Sequence, residues 1–207
     1  MAAKRKNSRK DSSNSLYDII IYVSLILIVF SLFFIGFSMT GKVVDTDSAI
    51  VNVTISGTTA INFTTNFLNL GAGTVNVGSA AATIDSDGNV VGGTGWGNTG
   101  NLTLENIGNT NVSLDISFGK SAAEYIGGTS PEYHFKFNNK EAGSCTPADG
   151  KSLDSWIATT KTNTTICSSF SFEDNKDEIN IGIKLVIPSD SIAGTRSDVV
   201  TATATTV

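Results

Sequence analysis

The chain has 207 residues, 40% of them hydrophobic, with a formal net charge of −5, three prolines, two cysteines and a single histidine. That apolar content excludes a disordered chain, and the few prolines exclude a Pro-rich stalk. The charge is unevenly placed, with five basic and two acidic residues before Lys42 and nine basic against seventeen acidic from Lys42 onward, so nucleic acid is excluded as a partner of the larger, acidic part.

The amino end is a polar tail over residues 1–18, carrying Lys4, Arg5, Lys6, Arg9 and Lys10 and then the spacer Asp11 to Ser15. The run Ile19 to Phe37 that follows holds no charged residue. At about 1.5 Å rise per residue its nineteen positions reach roughly 28 Å, the thickness of a bilayer's hydrocarbon core. Secretory signals have shorter apolar cores and small residues at the cut, so residues 19–37 read as a retained transmembrane signal-anchor rather than a leader cleaved after Ser38. Cationic residues stay on the cytoplasmic side, which predicts a single-pass membrane protein with its amino end in the cytoplasm and the lipid bilayer as its first partner. Residues 38–48, with Asp45 to Ser48, form a tether, and residues 49–207 one extracellular domain.

That domain is rich in Thr, Ser, Asn, Gly and Val, an all-β composition. Ala49, Val51, Val53 and Ile55 alternate with Asn52, Thr54 and Ser56, which predicts a half-buried first strand. The same period returns at Ile61 and Phe63, at Leu102 and Leu104, from Val112 to Phe118, and at Tyr133, Phe135 and Phe137. Ile179, Ile181, Ile183, Leu185 and Ile187 form the longest alternating set and predict a central strand closed by Pro188. The chain ends on another strand, Val199 to Val207. Asp87-Gly88-Asn89, Gly108-Asn109 and Asn138-Asn139 supply turns, and Lys151 to Thr159, with Trp156, is the only stretch in the domain that tolerates a helix. Eight or nine short strands with one apolar face each predict an antiparallel β-sandwich of Greek-key, immunoglobulin-like type, with a closed barrel as the structural alternative.

Cys145 and Cys167 lie in the exported part and predict a disulfide, worth roughly 3 kcal/mol for a loop of that length. Five Asn-x-Ser/Thr sequons, at Asn52, Asn62, Asn101, Asn111 and Asn163, are glycosylation candidates by location, with Asn101 and Asn111 preferred for their place near turns. Their number is no more than composition alone produces. Asp85, Asp87 and Asn89 have the oxygen-rich spacing of a cation loop, but Asp-Ser-Asp-Gly-Asn is also what a tight turn demands, and the turn is the better reading. Glu173, Asp174, Asp177 and Glu178 read as a solvated acidic loop. His134 sits between Tyr133 and Phe135 and faces away from them, toward solvent. Gly92 to Gly97 opens no helix, so it reads as a flexible loop with Trp96 as a contact point rather than a phosphate cradle. No catalytic residues, metal ligands or cofactor site are assigned, and no enzyme activity is expected.

Leu102 to Phe118, LTLENIGNTNVSLDISF, resembles a hairpin of extracellular immunoglobulin-like and TasA-like sandwiches: a strand, an Asn-Ile-Gly-Asn turn and an alternating strand. The likeness extends loosely to Asn52–Leu70 and Gly194–Val207. A one-pass anchor before an acidic, Asn/Thr-rich domain is also similar to archaeal cell-surface proteins and, in part, to archaeal pilins, although Asp11 to Asp18 separates the basic residues from the apolar run where pilins are processed. The resemblance implies a structural or adhesive surface protein whose partners are other envelope or surface proteins. The alternative is an extracellular filament subunit whose partners are copies of itself, joined by helix bundling or by donation of the Asp47–Gly57 strand. An unpaired first strand favours the filament.

Overall fold

The computed structural model describes residues 12–38 and 50–207, with helical side chains described from Leu16 to Leu32. The basic residues Lys4 to Lys10 and tether residues 39–48 lie outside these. The chain divides into two compact units, residues 1–53 and 54–207.

In the first unit a 27-residue helix, α1, runs from Ser12 to Ser38. It contains no proline, and Gly36 sits in its last turn. Ser24 and Ser31, the two serines within its apolar run, donate their hydroxyls to the carbonyls of Ile21 and Ile28 three residues back, at 2.8 and 2.9 Å. Neither hydroxyl needs a partner outside the helix. The described side chains are exposed all round it. Among the described residues no helix is long and apolar enough to cross a membrane; the described side chains stop at Leu32, inside the apolar run of the sequence.

The second unit is all-β with antiparallel sheets. In chain order its elements are β1 (Asn62–Thr65), β2 (Thr74–Val75), β3 (Ala81–Asp85), β4 (Val90–Val91), β5 (Gly93–Thr94), β6 (Leu102–Glu105), β7 (Val112–Phe118), the one-turn helix α2 (Ala122–Tyr125), β8 (Glu132–Asn139), β9 (Cys145–Pro147), β10 (Ile157–Ala158), β11 (Thr164–Phe170), β12 (Glu178–Pro188) and β13 (Val200–Thr206).

β12 is the central strand expected from its alternation. β8 pairs along one edge of it, from Ile179 opposite Asn139 to Val186 opposite Glu132. The other edge is shared end to end, β6 taking Glu178–Ile181 and β3 taking Lys184–Pro188. Ser86 fills the gap between them: its N–H donates to the Ile183 carbonyl at 2.8 Å, and its hydroxyl accepts the Ile183 N–H at 3.1 Å. A Cβ on Gly182 would stand 2.7 Å from that hydroxyl, so the close approach requires glycine there. β1, β4 and β10 extend this sheet at its margins.

The second sheet has the order β13-β7-β11-β9. β7 alternates buried and half-buried along its whole length, and it packs Val112, Leu114, Ile116 and Phe118 against Phe135, Phe137, Ile179 and Ile181 of the first sheet in one core. Phe118 lies 5.2 Å from Phe135 and edge-on to Tyr133 at 5.1 Å, and aromatic pairs of this kind add to the area they bury.

Several expectations are corrected. Ile50 to Ile55 form no strand; Val51 is 91% exposed, Val53 82% and Ile55 81%. Their alternation is real, but one chain offers it no ladder; Ala49 lies outside the described residues. The Leu102–Phe118 string is not a hairpin within a sheet, because β6 belongs to the first sheet and β7 to the second. The turn between them carries the chain across the core. Asn138 and Asn139 end β8 instead of forming a turn. Lys151 to Thr159 holds no helix, since Ile157 and Ala158 pair with Phe135 and His134 as β10.

Candidate interaction surface

Where β13 begins, a groove of about 1530 Å³ opens over the first sheet. Its floor is core: Ile84, Leu102, Tyr133, Ile183 and Leu185 are buried yet line it, and half-buried Ile187, Val200 and Trp96 continue it. Phe67, Val77, Ile192 and Val199 stand exposed along its lining. Small-molecule sites usually hold about 300–1,000 Å³ and bury a few placed polar groups; this groove is larger, and its floor is aliphatic and aromatic. β13, whose first residue Val200 lines it, is an edge strand that among the described residues pairs only with β7 and carries Val-Thr-Ala-Thr-Ala-Thr-Thr without a charge or a proline. Natural edge strands are usually shielded by charge, proline or cover, and this one has no such guard in its own sequence.

Trp96 is a wall of this groove and not a free contact on a flexible loop. It packs between Gly73 and Gly93, where added Cβ atoms would lie 2.5 and 2.7 Å from the ring, so the glycines exist to admit the indole. The short pairing of β2 with β5 holds the two glycine segments together.

At the opposite end of β12, the turn between β6 and β7 is built on Asn106, which is 1% exposed. Its amide nitrogen donates to the carbonyls of Thr110 and Phe170 at 3.1 and 3.2 Å, its Oδ1 accepts the Gly108 N–H at 3.1 Å, and its backbone N–H donates to the Asp177 carbonyl at 2.9 Å. One residue therefore ties the crossover to both sides, its side chain to β11 and its backbone N–H to Asp177 just before β12. A Cβ on Gly108 would meet the Thr58 carbonyl at 2.4 Å, so this turn also receives the incoming chain. Asn109 holds that chain: its side chain accepts the Thr58 N–H and donates to the Ser56 carbonyl at 3.2 Å, and its own N–H donates to the Thr58 carbonyl at 3.1 Å. Sequence reading takes Gly108-Asn109 as a turn and misses this anchoring role, which needs a partner fifty residues upstream.

No family model, curated protein or solved structure matches the chain.

Cys145 on β9 and Cys167 on β11 form the expected disulfide, with Cα atoms 5.5 Å apart. It joins neighbouring strands of the second sheet and is buried in the core. Among the sequons, Asn52, Asn62 and Asn163 are exposed, whereas Asn101 and Asn111 are half-buried. Asn101 accepts from the Ser86 hydroxyl at 3.2 Å, and Asn111 buries its Oδ1. Accessibility thus reverses the preference for Asn101 and Asn111 that their closeness to turns suggests.

The Asp85 carboxylate accepts from the backbone of Asp87 and Asn89 and from the Asn89 amide, at 2.8 to 3.1 Å, with Gly88 at φ +90°. These bonds build the β3–β4 turn. Asp87 instead pairs with Lys136 at 2.6 Å. Lys136 and Lys184 both lie over the Trp156 ring, 5.0 and 5.1 Å from its centroid, a doubled cation–π contact on the outer face of the first sheet.

His134 does face away from Tyr133 and Phe135, but it is half-buried, with Ala158 of β10 paired opposite it. Burial, with Lys184 beside it, holds its pKa below the ordinary value, although Glu132 at 3.8 Å pulls the other way. In the acidic loop, burial together with Glu141 and Glu105 pushes Asp177 up to about 6. Under the groove, burial and the Asp198 carboxylate raise Tyr125 and Tyr133, whose rings lie 4.9 Å apart, so both stay neutral phenols.

Proposed function

We propose that this chain is a membrane-anchored extracellular surface protein, structural or adhesive and non-catalytic, held by a single-pass helix with its amino end in the cytoplasm. In this reading the acidic unit is a Greek-key, immunoglobulin-like β-sandwich displayed outside the membrane, glycosylated at exposed sequons, with other envelope proteins as partners. The observation that carries it is α1, an apolar helix whose described side chains are exposed and whose Ser24 and Ser31 hydroxyls bond within the helix. Such a helix suits hydrocarbon, where no water satisfies a stray hydroxyl. The disulfide supports an oxidising compartment for the acidic unit. The test is intact mass and amino-terminal sequencing of the protein from its native membranes: the complete basic tail and apolar run are expected, and a cut near Ser38 would make it a secreted domain instead.

A second reading, an extracellular filament subunit, is favoured by one specific observation. The strand-patterned segment Ile50–Ile55 has no ladder partner among the described residues and exposes four apolar side chains. In this reading copies of the chain are its partners, and a cut just before the apolar run in the same experiment would support a pilin-like route to assembly.

A further inference from the structure

We infer that the groove beside β13 is the acceptor for the Ile50–Ile55 segment of a second copy of this chain, added as a strand along the open β13 edge. This rests on the filament-subunit reading and specifies its interface. Segment and groove share a chemistry: the segment has the sequence Ile-Val-Asn-Val-Thr-Ile, uncharged, with Val51, Val53 and Ile55 on one face. The groove offers an aliphatic floor of Ile183, Leu185 and Ile187 and meets the uncharged edge strand β13 at its first residue, Val200, with Arg196 and Asp198 also in its lining. Strand addition uses these two elements together, since the free edge supplies main-chain hydrogen bonds and the floor takes alternate side chains.

The occupant is a second copy because the chain that follows the segment, Ser56 to Thr58, is held away from the groove. Asn109 clamps Ser56 and Thr58 at the Glu178 end of β12, whereas the groove lies over the Ile183–Pro188 half. Upstream of that clamp, Val51, Val53 and Ile55 are more than four-fifths exposed. A donor segment and an acceptor groove built from different residues of the same chain make a head-to-tail contact, which propagates as an open chain and does not close as a two-fold dimer. The exposed Phe67, Val77, Ile192 and Val199 along the acceptor, like the exposed donor, are apolar surface left for a partner.

Full-length chains carrying Val53→Cys are mixed in detergent micelles with full-length chains carrying Ile192→Cys, and the mixture is oxidised. Both positions are exposed, at 82% and 78%, so neither change disturbs the core, and the native cysteines are already paired. A new disulfide joining position 53 of one chain to position 192 of another, identified by peptide mapping, is the expected result. Val53→Asp should weaken self-association by about a hundredfold, measured by sedimentation, because it would bury a lone carboxylate. Association that Val53→Asp leaves unchanged, without the cross-link, would overturn the groove assignment but leave a filament subunit standing. A link formed within single chains carrying both Val53→Cys and Ile192→Cys at high dilution would also overturn it. Chains that stay monomeric under all conditions would overturn both the assignment and the filament reading.

Discussion

Asn106 does more for this fold than its polar character suggests. It is buried, it bonds the carbonyls of Thr110 and Phe170, and it caps the turn through Gly108. Asn106→Ala should therefore cost about 3 kcal/mol in a urea titration, because it strands buried acceptors. Asn109→Ala, at an exposed position that only clamps Ser56 and Thr58, should cost less than about 1 kcal/mol. Titration adds a second contrast. Asp177 has a folded pKa of about 6 against an ordinary 3.8, so its protonated form is favoured by folding; its contribution is fully present below about pH 4 and is lost as pH rises through about 6. His134 is shifted down, so its contribution is present above pH 6.5 and is lost as pH falls below that value. Asp177→Asn should accordingly flatten the acid-side pH dependence of the urea midpoint between about pH 4 and 6 without touching the His134 limb.

Periodicity reveals an element when the strand it marks is paired within the same chain. β12, β7, β8 and β13 follow the alternation in the sequence because each has one buried face and ladder neighbours to hold it. The same pattern at Ile50–Ile55 yields no strand, since alternation reports a face to be buried and says nothing of who buries it. β6 and β7 are equally legible as strands, yet their assignment to different sheets depends on Asn106, whose side-chain partners lie up to 64 residues away. α2 escapes sequence reading because it is a single turn, held by a capping box in which Ser121 and Glu124 exchange hydrogen bonds. Those bonds and Lys161 lower the Glu124 pKa to about 2. At this scale the disulfide offers the plainest test: replacing both cysteines with serine should lower stability by about 3 kcal/mol, read from the urea midpoint. It should leave β9 the first strand to lose amide protection, because β9 is an edge strand that the bridge fastens to β11.

At the scale of the molecule, the sequence divides the chain between an apolar amino-terminal segment and an acidic β unit, and the contacts divide it after Val53. The groove is not legible in the sequence at all. It is lined by residues as far apart in the chain as Phe63, Tyr133 and Val200, and only three-dimensional packing brings them together. Membrane anchoring and self-association are compatible, since a tethered unit with an open edge and a spare strand can be held at the surface and joined to its neighbours. The order of dependence is clear: assembly through strands needs the β unit outside the cytoplasm, where the disulfide persists and other copies stand beside it. External protease on intact cells tests that placement most directly, with fragments identified by mass spectrometry. Release of peptides from the Thr54–Val207 unit, with Cys145 still bonded to Cys167 and the residues before it retained in the membrane fraction, is the predicted result; a β unit cut only after lysis, in a chain that does not sediment with membranes, would contradict it.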